Sequence, residues 1–162
     1  MHIRGPGRDH GGADVQRLML QPNGEIPYWA YFKAVDDALA DRQGARIFVC
    51  SDAQQTIDRF TEHYGDRVFT YPSTRTDFGE VHERHPKNGD FTFSPYKIGL
   101  DVVVEAHILA RCDHYIHGNN NVANYVLVRN PDMPATYVYE STMPALNALA
   151  HENIEHFIGA KR

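Results

Sequence analysis

Residues 46–71 read RIFVCSDAQQTIDRFTEHYGDRVFTY, and this stretch decides the fold. Arg46 to Cys50 form a short apolar run suited to a buried strand. Ser51, with Gln54 three residues on, resembles a capping box, in which a hydroxyl and an amide side chain satisfy free N–H groups at a helix start. A helix over 53–64 follows, closed by Gly65. Arg67 to Tyr71 then form a second strand, which Pro72 stops because it has no N–H to donate. A strand, a helix and a strand in 26 residues, with turn signals between them, is the unit of a parallel sheet.

The same alternation extends outward. Upstream, Tyr28, Tyr31, Phe32, Val35 and Leu39 recur at three- and four-residue spacing, which predicts a helix over 27–42 that Gly44 ends. Downstream, residues 72–95 are rich in charge, Pro, Gly, Ser and Thr without a period; a loop this long is usually functional. A helix is expected over 96–111, a strand over 114–117, a helix over 122–129 and a strand over 136–140. Pro144 opens a final amphipathic helix through Leu146, Leu149, Ile154 and Phe157. The predicted fold is α/β: one domain over 1–162 with a mostly parallel sheet and helices on both faces.

Composition narrows the function. The chain has 162 residues, 42% hydrophobic and 23% charged, which is globular composition. A net charge of −5 without a basic stripe argues against a nucleic-acid partner. No apolar run approaches the ~20 residues of a membrane span, and no signal-peptide pattern opens the chain. Cys50 and Cys112 sit in apolar surroundings, which fits core residues in a reducing, cytoplasmic compartment. The ten histidines are scattered, and no zinc-type spacing of Cys and His occurs. Met1-His2-Ile3-Arg4 leads at once into the glycine-rich run Gly5 to Gly12. Such a loop normally follows a full strand, so the expectation is a chain cut from something longer.

In open parallel sheets ligands bind outside the carboxyl ends of the strands. Four groups fall there: Arg4, the pair Ser51 and Asp52, Tyr71 to Arg75, and the run Gly118-Asn119-Asn120-Asn121. The asparagine run joins a strand to a helix, whose first N–H groups favour an anion. The plainer reading is a turn with an Asn cap. Arg4 carries a planar fork that can hold two oxygens of a diphosphate, and His2 points to the same side of the strand.

On the 96–111 helix, Val102, Ala106, Leu109 and Ala110 form the expected buried stripe, with Asp101 and Glu105 one turn apart on its flank. Two acids there either favour the helix dipole or offer a carboxylate to a donor edge such as guanine's adjacent N–H groups. His82 and His85 have helical spacing, but Pro86 and Gly89 interrupt it; His114 and His117 fall on opposite strand faces. No metal site is expected.

Together these residues resemble the GDP-fucose-dependent fucosyltransferase superfamily, which includes the α1,6-fucosyltransferases, the rhizobial nodulation fucosyltransferase and the protein O-fucosyltransferases. His2-Ile3-Arg4 is similar to its His-x-Arg motif, and 47–52 (IFVCSD) to its strand ending in Ser/Thr-Asp. Residues 105–113 (EAHILARCD) resemble its acid-to-Asp run, and Gly118 to Val122 stand where it has a serine-rich phosphate loop. The match spans roughly residues 2–130. Three asparagines replace the serines, and the acid is Glu105 where many relatives have Asp.

The resemblance implies a Rossmann-like donor-binding domain, the C-terminal half of a GT-B glycosyltransferase. The acceptor-binding domain would be encoded upstream, and the isolated chain would transfer little or nothing. It implies a nucleotide-sugar donor, GDP-fucose or a related one, for transfer to a glycan or other acceptor, without a metal. Arg4 would carry catalysis at the diphosphate, with Asn119, Asn120 and Asn121 beside it. Glu105 and His2 would read guanine, Ser51 would share the donor site, and Asp52 would contact ribose. A catalytically inactive nucleotide-sugar-binding or assembly module that lacks the acceptor domain is the alternative.

Overall fold

The computed structural model describes residues 1–3, 28–76, 94–118, 120–138 and 140. They form an α/β arrangement of parallel strands and helices: α1 (Tyr28–Leu39), β1 (Ile47–Phe48), α2 (Gln54–Tyr64), β2 (Val68–Phe69), α3 (Pro95–Leu109), β3 (Tyr115–His117), α4 (Asn121–Arg129) and β4 (Ala135–Tyr137). β1 pairs with β2 and β3 with β4, both in parallel. The Met1–Ile3 segment joins the two pairs, because His2 bridges Cys50 on one side and His117 on the other, again in parallel. Backbone bonds fix the junction: Ile3 N donates to Cys50 O at 2.9 Å, Cys50 N to Met1 O at 3.0 Å, and His2 N to Ile116 O at 3.2 Å. The resulting order is β2, β1, residues 1–3, β3, β4.

Alternation along the strands separates two cores, since successive side chains point to opposite faces. Ile47 and Val49 pack with Met1, Ile3 and Ile116 against Ala30, Tyr31, Val35, Ile57 and Phe60 of α1 and α2. Phe48, Cys50 and Tyr115 face the other way, against Ala106 and Leu109 of α3 and Ala123 and Val126 of α4. Helices therefore cover both faces, and both cysteines are free thiols. Burial pushes the Cys50 thiol well above its ordinary range.

Several elements differ from their sequence-based expectation. The 67–71 strand is paired only at Val68 and Phe69; the chain then leaves the sheet, and Thr76 pairs with Ala53 instead. Ser51 and Gln54 form no capping box. Ala53 is the N-cap of α2, and Ser51 Oγ accepts from Ala53 N at 3.2 Å. The reason is that Thr76 O already accepts from Gln54 N at 3.0 Å, so the first helical donor needs no side-chain cap. Gly65 does close α2, at a left-handed φ of 58°. The buried stripe of α3 is Asp101, Glu105, Ala106 and Leu109, whereas Val102 is exposed. The glycine-rich run over 5–12, His82, His85 and the helix expected after Pro144 lie outside the described residues. Among the described residues no helix is long and apolar enough to cross a membrane.

Candidate functional site

A cavity of about 240 Å³ opens where the strands end. His2 enters it from the central segment, Ser51 and Asp52 from the turn after β1, and Ser73 and Thr74 from the stretch after β2. Asn120 and Asn121 enter from the start of α4, and Ile98, Asp101, Val102 and Glu105 from one side of α3. Of the residues singled out in the sequence, His2, Ser51, Asp52, Glu105, Asn120 and Asn121 thus share one cavity. Arg4 and Asn119 lie outside the described residues. Sequence reasoning gives Ser73 and Thr74 no individual role beyond the position of 71–75 at the carboxyl edge. It offers Asp101 with Glu105 as a carboxylate for a donor edge, a part that Asp101's own partners leave to Glu105.

The two carboxylates of α3 have opposite environments. Asp101 accepts from Lys97 Nζ at both oxygens (2.6 and 2.8 Å) and from Thr74 N at 2.8 Å. Burial alone would raise its pKa, but the Lys97 and Thr74 bonds outweigh it and hold the carboxyl below its ordinary 3.8. Asp101 therefore anchors the 73–76 stretch. Glu105 accepts one hydrogen bond, from Ser73 Oγ to Oε1 at 2.6 Å, and Arg75 Nη2 lies 3.6 Å from the same oxygen. Here burial prevails: it raises the pKa above the ordinary 4.5, against Ser73 and Arg75, and Asp101 and Asp52 add to the rise. Glu105 is thus the carboxylate with capacity left for a ligand.

The opposite wall is a helix start. Asn120 is the N-cap of α4, and its Oδ1 accepts from Ala123 N at 2.9 Å. The cap reading of the asparagine run is realised, and the same turn places the N-terminal end of α4 at the cavity, where an anion is favoured. Behind it, His117 is buried and stacks between Tyr115 (5.0 Å) and Tyr137 (5.5 Å), its Nδ1 3.0 Å from Gly118 O. Burial lowers its pKa. His114 instead meets Thr136 Oγ1 at 2.8 Å, so the two histidines do not converge. Among the described residues no group of three or more His, Cys, Asp or Glu could hold a metal ion.

A larger cavity, about 460 Å³, lies at the amino ends of the strands. Its lining combines apolar side chains such as Val35, Leu39 and Phe69 with the cationic Arg42, Arg46 and Arg111. The smaller cavity is the candidate site because hydroxyl, amide and carboxylate groups converge there, as in sites that orient a polar ligand.

Compared with protein-family models, curated proteins and solved structures, the chain matches none.

Proposed function

We propose that this chain is the nucleotide-sugar-binding domain of a fucosyltransferase-like glycosyltransferase, with GDP-fucose or a related GDP-sugar as its ligand. The observation that carries this reading is the convergence of His2, Ser51, Asp52, Glu105, Asn120 and Asn121 on one cavity. They come from segments far apart in sequence, each of which carries part of the resemblance to one family. The strand order supports it too: numbering residues 1–3 first gives 3-2-1-4-5, an order used by nucleotide-binding doubly wound folds.

In this reading the Glu105 carboxylate accepts the adjacent N–H donors of guanine, and His2 contacts the same base. Asp52 meets the ribose, and Ser51 lies beside it. The diphosphate lies against Asn120 and Asn121, where the α4 dipole and free N–H groups stabilise negative charge without a cation. Arg4 keeps the role the resemblance gives it, a fork on the departing diphosphate. At about 240 Å³ the cavity is smaller than the roughly 300–1,000 Å³ of typical small-molecule sites. It suits the nucleoside, with the sugar outside it, where an acceptor could approach.

The test is amide NMR with GDP-fucose added to the uniformly labelled chain. Shifts are expected at Ser51, Ser73, Glu105, Asn120 and Asn121. Shifts confined to the larger cavity around Leu39 and Phe69, or none at all, would remove the reading.

A further inference from the structure

Arg75 contributes the positive charge nearest Glu105, and its surroundings are unusual for an arginine. Its side chain is only 10% exposed. Nη2 donates to Tyr71 O at 2.7 Å and Nη1 to Ser73 O at 3.3 Å, while the buried Nε has no hydrogen-bond partner among the described residues. A guanidinium stays charged, so an enclosed one requires a counter-charge. Glu105 supplies it, with Oε1 3.6 Å from Nη2. Ser73, whose carbonyl Arg75 holds, donates to that same Oε1. One oxygen of Glu105 is thereby fixed, and among the described residues no hydrogen bond falls on the other, Oε2.

The remaining groups around Glu105 are Asp101 on its own helix, with Lys97 upon it, Asp52 from the turn after β1, His2 from the central segment and the buried Cys50 thiol. The two aspartates oppose a charge on Glu105; Arg75 favours it. We propose that Arg75 is a positioning residue for base recognition. With Ser73 it fixes Glu105 as an anion in the cavity wall and makes the site select bases that present adjacent N–H donors. The inference rests on the nucleotide reading above, in which Glu105 meets the base. An ionised carboxylate offers two acceptors, which match guanine. A protonated one offers a donor and an acceptor, which match the N1 acceptor and amino donor of adenine.

The experiment has two readouts on the full chain, as wild type, Arg75→Gln, Arg75→Lys and Ser73→Ala. Carbon-detected NMR follows the Glu105 carboxyl titration without ligand. Calorimetry measures GDP and ADP binding from about pH 5 to about pH 8. In Arg75→Gln the Glu105 titration should move to higher pH, GDP affinity near neutrality should fall about tenfold, and the preference for GDP over ADP should narrow. Arg75→Lys should recover part of each, because it restores the charge without the fork. If Arg75→Gln does not fold, Arg75→Lys and Ser73→Ala decide. The Glu105 titration should rise in Ser73→Ala at least as far as in any Arg75 variant, because the Ser73 hydrogen bond outweighs the Arg75 charge, and it should rise measurably in Arg75→Lys. An unshifted Glu105 titration in a folded variant overturns the proposal. A shifted titration in a protein whose wild type binds no GDP overturns the base-recognition half and the guanine reading, while the hold of Arg75 on Glu105 stands.

Discussion

Asp101 and Glu105 are one turn apart on α3, both buried, and do different things. Asp101 accepts three hydrogen bonds from two donors, so Asp101→Ala leaves Thr74 N and Lys97 without their acceptor. It should destabilise the fold by about 1–3 kcal/mol, measured by urea unfolding. Its pKa is depressed in the folded state, so its contribution is present above the ordinary 3.8 and lost as pH falls through the lower folded value. Asp101→Asn should therefore flatten the acid limb of a stability–pH curve; an unchanged limb contradicts the anchoring role. Glu105 has the opposite sign. Its pKa is raised, so whatever stability it contributes is present below 4.5 and lost as pH rises through the folded value. Glu105→Gln leaves the enclosed Arg75 without its counter-charge, so it should lower stability by up to about 3–5 kcal/mol and also weaken GDP binding about tenfold or more. A large loss of stability with unchanged binding would make Glu105 structural.

At the scale of elements, α4 offers a separation of folding from binding. Asn120 caps the helix through Oδ1. Asn120→Ala should cost about 1 kcal/mol, within the usual range for a lost cap, while Asn120→Asp keeps the cap and should hold the melting temperature. The aspartate also places a negative charge where the diphosphate is proposed to lie, so GDP affinity should fall with stability intact. Equal affinity for wild type and Asn120→Asp would separate the anion from this helix.

The alternation of helix and strand was legible because strands such as 47–50 are apolar on both faces and α2 is strongly amphipathic. The inner face of α3 was not. Ile98, Leu100, Val102, Val103 and Val104 surround the helix, so periodicity could not choose a side. What turns Asp101 inward is a tertiary partner, Thr74, together with Lys97. The 73–76 stretch was legible only as a position after a strand. Its bonds to Asp52, Asp101 and Glu105 join residues that no local pattern relates.

For the whole molecule, everything depends on residues 1–3, which lie between the two strand pairs and contribute Met1 and Ile3 to the core. Ile3 is 4% exposed. Ile3→Ala should cost about 2–5 kcal/mol and, because the segment joins both pairs, lower a single cooperative unfolding transition. Two separate transitions would mean that the pairs fold independently. The same segment delivers His2 to the cavity, so the fold and the site share their central strand. The direct measurement of the central claim, that this cavity binds a guanine nucleotide without a metal, is calorimetry of the chain with GDP, UDP and CDP in the presence of a chelator. GDP should bind well above the other two, and adding magnesium should not change its affinity. Equal affinity for all three, or GDP binding that appears only with the divalent ion, would contradict it.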